Sequence, residues 1–479
     1  MHWETVIGLE VHVQLNTQSK FFSCAPTKPC KIPNAQVSII DLAMPGVLPV
    51  VNQVAIEKAI LLGLALKATI NKKNCFARKN YFYPDLPKGY QISQMDHPIV
   101  QCGQLVIMLD NVEKIIRITR AHLEEDAGKL THDHTTQLTG VDLNRAGIPL
   151  IEIVSEPDMC SAQEAVAYAR RLHQLVTWLD ISVGDMEAGN FRMDANVSIR
   201  QATDTALGTR REIKNLNSFR FLEQAIEYEV SWQIEQRMQG YPIQQATVLF
   251  DADTGQTRSM RSKENAHDYR YFPDPDLPPM QLETAQIETI RSTMPELPDM
   301  MKQRFMAVYQ LSDYDASLLT AQRSVAQYFE LVAKQSGQGK LAANWINGEL
   351  LAYLNKEALS ISQSPVSAQA LATLIKKIAQ GKLSHKLAKQ VFEKMWVIRL
   401  PVDDIIRNEG LENITDADAI SQITEAVIAD NAHLVVQFLA GKEKVFNALV
   451  GQVMKHTQGK ADPEQVQHTL RIKLAHISS

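Results

Sequence analysis

The stretch Val6-Ile7-Gly8-Leu9-Glu10-Val11-His12-Val13-Gln14-Leu15 decides the fold. Ile7, Leu9, Val11, Val13 and Leu15 recur at every second position, and Gly8, Glu10, His12 and Gln14 fill the positions between. Successive side chains of a strand point to opposite faces, so this pattern predicts a half-buried strand. One face meets the core, and the other carries a carboxylate beside an imidazole. The segment Asp194-Ala195-Asn196-Val197-Ser198-Ile199-Arg200 repeats the device, with Ala195, Val197 and Ile199 inward and Asp194, Asn196, Ser198 and Arg200 outward. Arg210, Glu212 and Lys214 share one face of a third predicted strand.

Working outward, helices are predicted over Gln53 to Leu66, Ser161 to Leu179 and Ser218 to Met238, with Ser161 and Glu164 forming a capping box. The first part of the chain is therefore α+β, built around mostly antiparallel strands. Pro295-Glu296-Leu297-Pro298 marks a boundary. Beyond it the segments are rich in Ala, Leu, Lys and Gln and predict helices, interrupted near Gly337, Pro365 and Pro463.

A chain of 479 residues, 45% hydrophobic and 22% charged, has room for two or three domains with sizeable cores. The greasiest stretch, Ala55 to Leu66, is broken by Glu57 and Lys58 and is too short for a membrane span. The N-terminus lacks the basic-then-apolar layout of a signal peptide, so a cytoplasmic protein is expected. The five cysteines lie in the first third with no C-x-x-C pair, and read as free thiols rather than a disulfide framework or a zinc site. A net charge of -5 does not announce a nucleic-acid protein, although a local basic patch can still bind phosphate.

Several groups of residues can carry chemistry. Glu10 and His12, two apart on one strand face, can ligate a divalent cation or divide acid and base duties, or can line a solvated face. The run His122-Leu123-Glu124-Glu125-Asp126-Ala127-Gly128-Lys129 closes an extended segment with three successive acids, a small turn and a lysine. Such density suits magnesium and phosphate chemistry, and equally suits an exposed acidic turn. No phosphate-binding loop or dinucleotide fingerprint is present, so any nucleotide is held by dispersed residues. Arg192, Asp194, Arg200 and Lys214-Asn215-Leu216-Asn217-Ser218 are candidates. Arg78-Lys79-Asn80-Tyr81-Phe82-Tyr83-Pro84 and Asp268-Tyr269-Arg270-Tyr271-Phe272-Pro273 interleave cations with rings, a composition that stacks bases or builds packed loops. Lys376, Lys377, Lys382, His385, Lys386, Lys389 and Lys394 form a basic stretch suited to an RNA backbone or to a solvated helix face. A turn at Lys455-His456-Thr457-Gln458-Gly459-Lys460 adds further cations.

Taken together, Val6 to His12, Met44 to Val50, Lys79 to Asp85, His122 to Lys129, Val141 to Arg145, Asp194 to Ser198, Glu212 to Ser218 and Asp268 to Pro273 resemble the B subunits of the aspartyl/glutamyl-tRNA amidotransferases. The resemblance implies a cradle-like catalytic domain over 1–292, a helical domain over 293–405 and a small helical tRNA-binding tail over 406–479. It implies a complex with A (amidase) and C subunits, acting on misacylated tRNA(Gln) or tRNA(Asn), with ATP, magnesium and glutamine. The A subunit would free ammonia; this chain would phosphorylate the misplaced carboxylate and let ammonia displace the phosphate. The metal positions carry over to Glu10, His12 and Glu125, with Lys79, Arg192 and Lys214 neutralising developing charge and Asp194, Asn215 and Ser218 completing the nucleotide site. Many relatives carry a four-cysteine zinc site; here the aligned positions are Ser23, Ala25, Ser38 and Asp41, so structural zinc is not expected. The chain shows no glutaminase nucleophile motif. A non-catalytic tRNA-binding or assembly subunit is the alternative.

Overall fold

The computed structural model describes residues 2–133, 137–259, 269–411, 417–457 and 460–478. Asp268 of the second aromatic motif, and Gln458 and Gly459 of the late basic turn, lie outside the described residues. Two compact units divide the chain, Met1–Leu297 and Pro298–Ser479.

In the first unit the strands are β1 (Trp3–Gln14), β2 (Thr69–Ile70), β3 (Lys73–Asn74), β4 (Ala77–Asn80), β5 (Tyr90–Ser93), β6 (Val100–Leu109), β7 (Val112–Glu125), β8 (Lys129–Asp133) and β9 (Leu138–Asp142). They continue with β10 (Pro149–Ser155), β11 (Phe191–Gln201), β12 (Arg211–Leu216), β13 (Ala246–Asp251), β14 (Gln256–Ser259) and β15 (Phe272–Pro273). Nine of them form one sheet in the order β14-β13-β12-β11-β1-β10-β7-β6-β2. The alternating N-terminal segment is its central strand. Ile7, Val11 and Val13 are fully buried, as the period-two pattern requires, and burial on this side fixes the register. Every pairing of β1 is antiparallel; β12 and β13 are the parallel exception.

The apolar face is covered by helices. The helix α1 spans Gln53–Ala65, α2 spans Ala162–Trp178 and α3 spans Phe219–Met238. Each begins where a side-chain oxygen accepts from a free helix amide: Asn52 from Val54, Ser161 from Glu164 and Ser218 from Phe221. The expected capping box closes only halfway. The Glu164 carboxylate reaches back to the amide of Cys160 at 2.6 Å and to the Lys114 ammonium at 2.8 Å, not to the cap residue.

Polar stitching organises 16–52 and ties it to the loop between β9 and β10. Lys20 is fully buried and donates to Asp41 and to the Leu143 carbonyl, each at 3.1 Å. Asp41 also accepts from the Ser23 hydroxyl and the Ser38 amide. Gly128, in the turn after β7, is required by space: an added Cβ would lie 2.9 Å from Leu143 Cδ2 and 3.0 Å from the Asp142 carbonyl.

The second unit is helical throughout its named elements. Its last four helices, Ala417–Asp430, Ala432–Leu439, Lys444–His456 and Pro463–Ser478, enclose their own core, including Ile420, Val427, Leu449, Val453, Val466 and Leu470. Among the described residues, no helix is long and apolar enough to cross a membrane.

Candidate active site

The polar face opposite the core gathers side chains that sequence distance keeps apart. Register places His12 of β1 directly across from Glu152 of β10 on one side and Arg192 of β11 on the other. Glu152 in turn faces His122 of β7, and Glu10 faces Asp194. Because every second residue of a strand shares a face, Arg120, His122 and Glu124 line up beside Glu152, and Asn196 and Glu212 extend the stripe on the far side.

At the centre stand His12, Glu124 and Glu152, whose ligand atoms all lie within 4.8 Å of one another. His12 Nε2 is 3.3 Å from Glu152 and 3.6 Å from Glu124; His122 Nε2 is 3.4 Å from Glu152. Glu124 is 3% exposed, so its charge is poorly solvated. Burial and the charge of Glu152 push its carboxyl up to about 7. Burial also opposes ionisation of Glu152, but the hydrogen bond from His12 and the charges of His122, His12 and Lys79 outweigh it and hold this carboxyl well below the usual range. Burial alone would depress His12, yet the two carboxylates raise it to about 9. His122, without an equivalent gain, is pushed down to about 4, chiefly by burial. At neutral pH the positive charge of the cluster therefore sits on His12, between two acids. Two carboxylates and an imidazole suit a hard divalent cation such as magnesium or manganese, once the imidazole has lost its proton.

The expected trio is not brought together in this form. His12 is in the cluster, and Glu10 is its neighbour on β1, with a carboxylate that accepts from Asn196 at 2.8 Å and is raised by burial and then by Glu152. Glu125 points elsewhere. The strand continues through both glutamates, so the run of acids is divided between the two faces. Glu125 accepts from the Ile92 amide at 2.9 Å and pairs with Lys88. Asp126 turns to Arg192 at 3.2 Å and Gln14 at 2.7 Å.

The other candidates divide by use. Arg192 is anchored by Asp126 beside the cluster, with its Nε buried and unpartnered. Lys214 bridges Asp194 at 2.8 Å and Glu212 at 2.7 Å, and these acids outweigh burial and raise it. Arg200 pairs with Glu4 at 3.0 Å. Asn215 donates to the Phe250 carbonyl at 2.9 Å, and Ser218 is the cap of α3, so both have structural employment. The two aromatic motifs meet. Pairing of β4 with β15 sets Arg78 opposite Phe272, and the Asn80 amide donates to the Tyr269 carbonyl at 3.0 Å. Arg78 is held by Asp274 and Asp276, whereas Lys79 lies over the Tyr269 ring and its charge reaches Glu124 and Glu152. In the second unit Lys377, Lys389 and Lys394 each meet a carboxylate, which reduces the free charge of the basic stretch.

Sequence reasoning passed over Glu152, although a lone acid in the apolar run Pro149-Leu150-Ile151-Glu152-Ile153-Val154 is a signal for a buried charge with a purpose. His122 and Glu124 lie inside the acidic run, where sequence alone does not separate them from Glu125 and Asp126.

Comparison with known proteins gives a consistent answer. Residues 5–288 match the model of the GatB/GatE catalytic domain, and residues 327–474 match that of the GatB domain. The chain is 61% identical over 474 residues to the B subunit of the aspartyl/glutamyl-tRNA(Asn/Gln) amidotransferase of Thiobacillus denitrificans, covering 99% of this chain and 100% of that one. The proteins of the same name from Chromobacterium violaceum and Neisseria meningitidis are 60% and 59% identical, over the same shares of each chain.

Proposed function

Because this chain belongs to the B-subunit family of the aspartyl/glutamyl-tRNA amidotransferases, we propose that it is the subunit that activates the misplaced amino acid on the tRNA. The chain is a subunit of a tRNA-dependent amidotransferase, a multi-subunit ligase that serves protein biosynthesis. The observation that carries the finer reading is the half-buried triangle of His12, Glu124 and Glu152, flanked by Lys79 and Arg192.

A carboxylate is a poor acyl donor because its oxygen leaves badly. In the proposed step a side-chain carboxylate oxygen of Glu on tRNA(Gln), or of Asp on tRNA(Asn), attacks the γ-phosphorus of ATP. The bond to the β-phosphate oxygen breaks, ADP leaves, and an acyl phosphate forms. Ammonia then attacks the acyl carbon, inorganic phosphate departs, and the amide is left after loss of a proton. A magnesium ion bound at the triangle would screen the triphosphate. Glu124 and Glu152 would hold it from two strands and His12 from a third, and Glu10 lies next to them. Lys79 and Arg192 place positive charge where phosphoryl oxygens gather, and Lys214 holds Asp194 and Glu212 in place.

Glutamine is hydrolysed on the A subunit, the C subunit completes the assembly, and ammonia travels a shielded route because it must arrive unprotonated. The work is cytoplasmic. The cradle over 1–292 carries the chemistry, the helical domain over 293–405 follows it, and the tail over 406–479 captures tRNA.

Reconstitution with candidate A and C subunits tests this reading, using labelled Glu-tRNA(Gln) and Asp-tRNA(Asn) with ATP and glutamine. ADP and amidated tRNA should appear together and should vanish with His12→Ala or Glu152→Gln. Wild-type turnover in both variants would favour a tRNA-binding assembly role without catalysis.

A further inference from the structure

Above the acid cluster, four hydrogen-bond donors stand without acceptors among the described residues. Continuing the register of β4 with β15 puts Tyr271 beside Lys79 and Tyr269 beside Tyr81. Three aromatic rings and an ammonium thereby share one wall: Tyr81 meets Tyr269 edge-on at 6.1 Å, Tyr269 meets Tyr271 at 6.1 Å, and the Lys79 ammonium lies 4.9 Å from the centre of the Tyr269 ring. The Asn80 side chain ties the two segments together, donating to the Tyr269 and Arg270 carbonyls at 3.2 and 2.9 Å. This wall is joined to the end of β7 through β5: Gln91, opposite Lys79, donates to the Glu125 carbonyl at 2.6 Å, and the Ile92 amide donates to the Glu125 carboxylate at 2.9 Å. The Glu124 carboxylate acts on both Tyr81 and Tyr271, Glu152 acts on Tyr271, and Lys79 acts on Glu124, Glu152 and His122. From the sheet side Arg120 joins them, two residues before His122 on the same face, and Tyr271 feels its charge.

None of these four groups is satisfied by the described residues. The Tyr81 and Tyr271 hydroxyls and the Lys79 ammonium have no hydrogen bond or ion pair with any of them, and the buried Arg120 Nε is unpartnered. A buried donor normally finds an acceptor, and Arg120 Nε has none; with the half-buried donors of Lys79, Tyr81 and Tyr271 around it, it is placed to receive an acceptor that arrives from outside. Burial and the neighbouring carboxylates push both phenols well up, which keeps them protonated and able to donate at neutral pH.

We propose that Lys79, Arg120, Tyr81 and Tyr271 form the subsite for the side-chain carboxylate of the aminoacyl group, and that this subsite distinguishes the acidic substrate from its amide product. This rests on the activation chemistry proposed above. A carboxylate brought next to Glu124 and Glu152 is repelled unless donors on its other side receive it. Two cations and two hydroxyls do this for an anion. The neutral amide accepts weaker hydrogen bonds and brings donors of its own, so it gains less and is released. Discrimination of this kind comes from polar groups that lose their partner with the wrong ligand.

The test measures binding of Glu-tRNA, Gln-tRNA and uncharged tRNA to the reconstituted complex, for the wild type, Tyr81→Phe, Tyr271→Phe and the double variant. These substitutions keep the rings and remove only the hydroxyls. The wild type should prefer Glu-tRNA to Gln-tRNA, and each substitution should erode that preference by about tenfold. Affinity for uncharged tRNA and the KM for ATP should stay unchanged. Equal losses for all three tRNAs would make the wall a base-stacking platform and overturn the proposal. A raised KM for ATP with the preference intact would assign the donors to phosphate, and no effect in the double variant would refute it outright. If acyl phosphate never forms while the wild type keeps a Tyr-dependent preference for Glu-tRNA, the activation reading fails and the carboxylate subsite stands.

Discussion

Glu124 and Glu125 are neighbours in sequence and send their carboxylates to opposite sides of β7: Glu124 lies 3.6 Å from His12, and Glu125 accepts from the Ile92 amide and pairs with Lys88. The two should therefore respond differently to the same substitution. Glu124→Gln is expected to weaken manganese binding by roughly a hundredfold with little change in Tm, because it removes a ligand charge and relieves a poorly solvated acid. Glu125→Gln leaves Lys88 buried without its counter-charge and should cost about 3 kcal/mol of stability while manganese still binds. Titration calorimetry and urea unfolding of both variants decide the matter. Loss of the ion in Glu125→Gln alone would restore Glu125 as the ligand.

The segment 16–52 is held by hydrogen bonds and by the buried Lys20–Asp41 pair. Lys20→Met strands the Asp41 charge and should cost about 3–5 kcal/mol in urea unfolding. Incubation with a strong chelator should leave the wild-type Tm where it is. A chelator-dependent fall in Tm would mean that zinc, rather than Asp41, organises this segment.

The closing helices, from Ala417 onward, contain a core of their own, so removing them after the helix Val402–Glu409 is expected to leave the rest of the chain folded. KM for aminoacyl-tRNA should rise, and rise less at moderate salt, because lysine contacts to phosphate weaken as counterions compete. The maximal rate should largely survive. An unchanged KM with a collapsed maximal rate would exclude a role in capture.

Asp158 accepts hydrogen bonds from the Arg117 guanidinium and amide, and the side-chain bond holds its carboxyl below the ordinary value of 3.8. With the folded value the lower one, the unfolded chain binds the proton more readily. The pair's contribution is then complete above that ordinary value and fades as pH falls through the folded one. Asp158→Asn should melt below the wild type at pH 6, and the two curves should converge toward pH 3. A gap independent of pH would show that the charge is not involved.

The sequence by itself determined whatever depends on near neighbours. Period-two alternation identified the strand around Glu10 and His12 and its two faces, and Ser161 and Ser218 announced their helices, because side-chain direction and amide capping are settled within a few residues. The collinear motifs identified the family. Which groups share a site was left to the tertiary structure. His12 meets Glu152 only because β1 lies between β10 and β11, a strand order set by burial of apolar faces some 140 residues apart in the chain, and no local pattern encodes it. The same holds for the acids of β7. Three in a row read as one cluster along the sequence, but an extended backbone separates adjacent side chains, and Lys88 was in position to take Glu125. Arg78 and Lys79 part company for this reason too: one closes an ion pair with Asp274, and the other faces the site with its charge unspent.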